Sequence, residues 1–161
     1  MISVQARTRG FSFVELLVVV VVLAIIASVV VPLMAEGGTI HASAAARMVM
    51  TDITFAQAQA VTLQQPHGIH FQAEGYRVID ADAQVLRSPM HGGVYAIDFT
   101  TDHKFGSMRW RNIELKEHDT LWFDATGQPQ TYGHIDLEVG AAAYRVAVAP
   151  LTGRLSINAL P

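Results

Sequence analysis

The sequence predicts an α+β fold in which a long N-terminal helix, membrane-spanning in its first half and amphipathic in its second, packs on antiparallel β-sheet. Three observations carry this. Residues 11–34, FSFVELLVVVVVLAIIASVVVPLM, hold a single charge, Glu15. Between Ala42 and Gln65 apolar residues recur at helical spacing. From His67 onward the period falls to two, with turn-forming residues between the runs. At 161 residues, 51% hydrophobic and 16% charged, the chain has room for one domain and a short appendage.

The first ten residues carry Arg7 and Arg9 and no acid. As a helix, residues 11–34 would be about 36 Å long, enough to cross a hydrocarbon core of about 30 Å. Positive charge before the span predicts a cytoplasmic N-terminus and an exported C-terminal part. A secretory signal peptide has a shorter apolar region and a small-x-small cleavage site; Ala35-Glu36-Gly37 fits such a site poorly, so a retained span is the reading. Glu15 is out of place, since a carboxylate at mid-membrane costs about 2.5–3.5 kcal/mol and less near an end. Either it snorkels to the interface or it has a partner cation. A cut between Gly10 and Phe11 would create an amine one turn from Glu15, and between staggered helices the amine of one could meet Glu15 of the next. Pro32 lacks an N–H and crowds the preceding turn, which predicts a kink or helix break.

Residues 35–66 read as a hinge and an amphipathic helix. Gly37-Gly38 weakens helix locally. Ala45, Val49, Ile53, Ala56, Ala60 and Leu63 then share one face, widened by Met48 and Phe55, with Arg47, Thr54, Gln57 and Gln64 opposite. Asp52 falls inside the apolar arc and reads as an edge carboxylate paired with a neighbour. Pro66 and Gly68 end the helix.

Residues 67–161 read as an antiparallel β domain. Ile69 and Phe71 alternate, as do Tyr95, Ile97 and Phe99, then Ile135, Leu137 and Val139, then Tyr144, Val146 and Val148, while Asp136 and Glu138 take a solvated face. Turns fall at 73–75, 90–93, 126–129 and 151–153. Seven or eight strands result, too short for parallel crossovers, and a helix laid on the sheet buries their apolar faces.

The absence of cysteine excludes disulfides, thiolate zinc sites, iron–sulfur clusters and thiol catalysis. Seven histidines do not make a metal site. His67 and His70 point to opposite faces of a strand, and His41, His91, His103, His118 and His134 stand alone in loops or strand ends, whereas zinc needs three or four convergent ligands. Asp80 and Asp82 face one side of a strand and read as a solvated edge rather than a calcium site. No nucleophile elbow, phosphate loop or His-Glu-x-x-His helix is present, so neither an enzyme nor a cofactor is expected. Net charge is −3, which disfavours nucleic acid at long range. The basic residues that would serve a DNA contact are Arg109 and Arg111, which share a strand face on either side of Trp110, and Arg154; the same arginines also suit an edge strand that resists aggregation.

Arg9-Gly10-Phe11-Ser12-Phe13-Val14-Glu15-Leu16-Leu17 resembles the class III leader junction of type IV pilins and type II secretion pseudopilins. The resemblance implies that residues 1–10 are a cytoplasmic leader peptide, that a prepilin peptidase cuts between Gly10 and Phe11 and methylates Phe11, and that Glu15 supports filament assembly. It makes 11–34 a transmembrane and assembly helix, with Pro32 where many pilins carry a proline. Ala44-Ala45-Ala46-Arg47 at the opening of the second helical stretch, Phe123-Asp124-Ala125-Thr126-Gly127 and the closing Ala149–Ile157 stretch are similar to the GspH/FimT group of minor pseudopilins and minor pilins. No acidic cluster follows Glu138 to build the calcium loop of a major pseudopilin. What the resemblance implies is a minor pseudopilin of type II secretion, near the tip of a periplasmic pseudopilus that exports folded proteins. Its partners would be other pseudopilins, the prepilin peptidase, the inner-membrane assembly platform and secreted exoproteins. The protein would sit in the inner membrane as a single-pass subunit with its C-terminal domain in the periplasm. The alternative is a FimT-like minor pilin in pilus biogenesis or DNA uptake, using Arg109, Arg111 and Arg154.

Overall fold

The structure, a computed structural model, describes residues 12–89, 92–101, 108–116 and 119–161, with the side chains of 29–38 left out. One helix, α1 (Phe13–Leu63), precedes eight strands: β1 (His67–Gln72), β2 (Gly75–Ile79), β3 (Ala96–Asp98), β4 (Met108–Leu115), β5 (Thr120–Phe123), β6 (Gly133–Val139), β7 (Ala142–Val148) and β8 (Leu155–Leu160). The α+β class is therefore as the sequence predicts.

Helical backbone continues through Pro32 and Gly37-Gly38, where the sequence reading places a break and a hinge. A proline removes one ladder bond and a glycine weakens a helix by about 1 kcal/mol, and here neither ends the helix. The boundary between two compact units still falls at this point, between Glu36 and Gly37.

In the first unit, Ser12 O accepts the Leu16 N–H at 3.1 Å and Glu15 lies in the first turn, where the helix dipole favours negative charge. Every large apolar side chain from Phe13 to Ile26 is between 47% and 79% exposed. Among the described residues no helix is long and apolar enough to cross a membrane. The stretch with described side chains stops at Ser28, short of the roughly 20 residues a span takes.

The second unit is built on the later turns of α1. Ala42, Ala45, Ala46, Val49, Ile53, Ala56 and Ala60 are buried, and the many alanines let sheet side chains approach the helix backbone. Leu63, expected on this face, is exposed because the helix stops there: Gln64 adopts φ 51 and Gln65 N–H reaches back to Ala60 O at 3.2 Å, a left-handed cap.

The strands form two antiparallel sheets of four, ordered β3-β2-β1-β5 and β4-β6-β7-β8. Ile69, Phe71, Tyr76, Val78, Leu121 and Phe123 supply the core from one, and Ile135, Leu137, Val146 and Val148 from the other. Trp110 joins the sheets. Its indole N–H donates to Gln72 O at 2.9 Å, and its ring lies 5.5 Å from Phe71 and 4.9 Å from Phe99 in edge-on contact.

Candidate functional site

Gly10 and Phe11, the cleavage and methylation positions, lie outside the described residues, and Pro32 is described only as helical backbone. Glu15 is described. It is exposed in the first turn of a helix whose apolar side chains have no cover among the described residues of their own unit. An amphipathic surface helix hides one stripe, but this stretch hides none. Its whole circumference therefore suits lipid or neighbouring helices, and Glu15 is the only ionisable group among residues 12–28.

The three arginines are not brought together. Arg109 pairs with the Glu138 carboxylate across the β4–β6 ladder. Arg111 occupies a bulge between Trp110 and Asn112, so the alternation that would put it on the face of Arg109 is interrupted there, and its Nη1 donates to Pro161 O at 3.4 Å. Trp110 is committed to the core. Arg154 lies beyond the opposite end of the same sheet: Arg109 is level with Glu138 and Leu160, whereas Leu155 is level with Val148, Gly133 and Leu115. At about 3.4 Å per residue, Arg109 and Arg154 stand about 20 Å apart along the strands.

Two polar clusters hold the β domain together. Asp52 is not at an edge. Only 4% exposed, it accepts the Tyr95 hydroxyl at 2.8 Å and that of Tyr76, tying α1 to β2 and to the segment leading into β3. Burial raises its pKa, against which the two phenol hydrogen bonds act. Asp136 corrects the sequence reading too, being buried rather than solvated. Arg145 forks onto it with Nε–Oδ1 and Nη2–Oδ2 distances of 2.7 Å, and those hydrogen bonds hold the carboxyl below its ordinary range despite desolvation.

Gln57, expected on the solvent face, is a docking residue. Its Nε2 donates to Gly127 O at 2.8 Å, and a Cβ on Gly153 would fall 2.7 Å from that same Nε2. The β5–β6 turn, closed by Asp124 accepting from the Thr126 and Gln128 N–H groups at 2.8 and 3.0 Å, and the β7–β8 turn thus seat on one side chain. Gly127 and Gly153 are left-handed, at φ 81 and 64.

The remaining polar candidates have structural duties. Asp80 and Asp82 sit in the turn after β2 rather than on a strand, Asp80 Oδ1 accepting the Asp82 and Gln84 N–H groups at 3.0 and 2.9 Å. His67 Nδ1 bonds Gln65 O and His70 Nδ1 bonds Thr120 Oγ1, both at 2.9 Å. His134 Nε2 stands 3.5 Å from Glu114. His41 lies within α1, not in a loop, and His91, His103 and His118 lie outside the described residues. Among the described residues no three His, Cys, Asp or Glu converge as a metal site would require.

Residues 5–31 match the family model described as the prokaryotic N-terminal methylation motif. No curated protein and no solved structure matches the chain. The motif is the prepilin signal of type IV pilin-like proteins, which are membrane-anchored structural subunits and not an enzyme family. It implies processing by a prepilin peptidase and assembly with other pilin-like subunits.

Proposed function

We propose that this chain is a minor pseudopilin of type II protein secretion, a structural subunit near the tip of a periplasmic pseudopilus that helps move folded proteins across the outer membrane. The observation that carries the reading is the conjunction of the methylation motif at 5–31 with a helix apolar and exposed around its circumference, bearing Glu15 in its first turn. A prepilin peptidase cuts between Gly10 and Phe11 and methylates Phe11. The apolar run of 11–34 holds the subunit in the inner membrane until it enters the filament. There each Glu15 meets the Phe11 amine of a staggered neighbour, since a carboxylate among apolar helices is retained only when paired. The β domain stands in the periplasm and contacts other pseudopilins, the assembly platform and exoproteins.

Against a FimT-like pilus branch, Arg109 is paired with Glu138 rather than offered to phosphate. Separation of Arg109 from Arg154 also weighs against a single basic patch for DNA. The test is an in-frame deletion strain, in which exoproteins are assayed in medium and periplasm and transformation frequency is scored in the same cells. Exoproteins trapped in the periplasm with normal transformation support the reading. Normal secretion with lost transformation moves the protein to the pilus branch. Complementation with Gly10→Val should leave the leader uncut, and Glu15→Ala should be processed but fail to assemble; a Glu15→Ala chain that assembles normally removes the pairing role.

A further inference from the structure

Successive residues of a strand turn to opposite faces of its sheet. In the sheet β3-β2-β1-β5 the core side is built by Ile69, Phe71, Tyr76, Val78, Leu121 and Phe123, and it meets α1. The register therefore puts Gly68, His70, Gly75, Arg77, Asp98 and Trp122 together on the other face. That face is turned away from α1, so helices packed side by side in parallel do not use it.

Two features stand on this face. Trp122 is half-buried without belonging to the core. Its ring rests against Gly68, where a Cβ would fall 2.9 Å from Cε3 and 3.1 Å from Cδ2; glycine inside a strand marks such a close approach. The indole thus has one side on the strand backbone and turns the other to solvent. Its N–H has no partner among the described residues and is not buried, unlike that of Trp110. Next along β1, His70 is held by Thr120 Oγ1 at 2.9 Å, and beside it stands Arg77, exposed and without an ion pair among the described residues. One row further, Gly75 places no side chain between Gln72 and Asp98. The result is a cleft of about 360 Å³ walled by Gln72, Glu74, Arg77 and Asp98. Two strand spacings across and two residues along separate Trp122 from Arg77 by about 12 Å.

We propose that this face binds a linear, uncharged glycan of acetamido-sugar rings. A pyranose ring offers a flat C–H side, which stacks on an indole, and a rim of hydroxyls that both donate and accept. Trp122 supplies the stacking surface and a free donor. In the cleft Gln72 and Arg77 donate while Glu74 and Asp98 accept, so it suits a neutral group that needs both. An acetamido substituent is such a group: its C=O meets the donors, its N–H meets a carboxylate, and the glycine floor leaves room for its methyl. Charge selects against nucleic acid, because two carboxylates flank Arg77 and the chain carries −3 overall. A lipid tail or an apolar peptide would leave the polar walls unpaired. The separation of platform and cleft calls for a chain of rings rather than a single sugar. This assignment does not depend on the secretion reading.

The test titrates the full-length chain, in micelles of a sugar-free zwitterionic detergent, with the β-1,4-linked hexamer of N-acetylglucosamine. Binding is followed by calorimetry and by tryptophan emission. Saturable binding with an emission change is expected. Trp122→Ala and Arg77→Ala, each checked for folding by circular dichroism, should weaken it about tenfold or more. Trp122→Phe keeps a stacking ring and should stay within about threefold of the natural chain, which a merely structural tryptophan would not predict. Arg87→Ala, at an exposed arginine outside these strands, should change nothing. Cellohexaose, which lacks the acetamido group, should bind about tenfold more weakly. Absence of saturable binding up to about 10 mM hexamer overturns the proposal, as does unchanged affinity in folded Arg77→Ala or Trp122→Ala. Equal binding of cellohexaose removes the acetamido assignment, and displacement of the hexamer by single-stranded oligothymidylate makes the face a nucleic-acid site instead.

Discussion

Gly153→Ala tests the seating of two turns on Gln57. At φ 64 an alanine costs about 1 kcal/mol relative to glycine. Its Cβ would stand 2.7 Å from Gln57 Nε2, 3.3 Å from Phe123 Cε1 and 3.4 Å from Pro129 Cδ. The amide is the far end of a flexible side chain and can retreat, but doing so breaks its 2.8 Å bond to Gly127 O, worth about 1 kcal/mol. With a few tenths more for the two tight carbon contacts, the substitution should destabilise by about 2–3 kcal/mol, or a fall in Tm of about 5–10 °C at this chain length. Thermal and urea unfolding of the full chain, followed by circular dichroism, measure it. The decisive comparison is a cycle with Gln57→Ala. That variant already lacks the Gly127 bond and leaves room for the new methyl, so Gly153→Ala made upon it should cost only the backbone part. The two changes should therefore fall short of additivity by about 1 kcal/mol. Additive costs, or a Gly153→Ala cost below about 0.5 kcal/mol, would refute the shared seat.

The buried carboxylates give opposite pH signatures. Asp52 has a folded pKa above its ordinary 3.8 because burial penalises the charge. The folded state therefore holds that proton more tightly than the unfolded state, and stability declines as pH rises from 3.8 through the raised value. Asp52→Asn should gain stability relative to the natural chain across that window, and a parallel pair of pH–stability curves would exclude the assignment. Tyr76→Phe removes one of the two phenol donors and should cost about 1.5–3 kcal/mol at neutral pH, read by urea unfolding, and less below pH 3.8. Asp136 is held low by Arg145, so its contribution is complete above 3.8 and is lost as pH falls through the folded value. Arg145→Met should destabilise at neutral pH and flatten that acid limb, measured as urea midpoints from pH 2 to 5.

The elements were legible because burial follows simple periods. Alternation at Ile69 and Phe71, or at Ile135, Leu137 and Val139, marks strands whose inner residues are all nearly inaccessible. The turn at 73–75 and that at 151–153 also fall between paired strands. Periodicity is blind to exceptions set by partners far along the chain. Asp136 alternates as a solvent-facing residue would, and only the fork of Arg145 on the neighbouring strand makes its burial tolerable. Gln57 reads as a residue opposite the apolar arc, yet a turn 70 positions away comes to it. The bulge at Arg111 has no local sign, since one extra residue in a strand leaves the composition unchanged. For Asp52 the sequence held the clue that an acid within an apolar arc needs a partner, but nothing local named Tyr76 and Tyr95.

The two stretches of α1 show why the candidate site was legible where the details of the domain were not. In residues 42–60 the buried positions are mostly alanine, and their meaning depends on the strands that cover them, which only the folded chain supplies. In residues 12–28 valine, leucine and isoleucine occupy every side of the helix and stay exposed. No arrangement of one chain buries a full circumference at a helix end, so the demand for an external apolar partner is written in the composition alone. In the proposed assembly Glu15 sharpens that demand, because an ion among such helices must bring its counterion with it. The proposed assembly segment is thus marked by the cover it lacks among the described residues of its own unit, and a sequence records such a lack more directly than it records a contact.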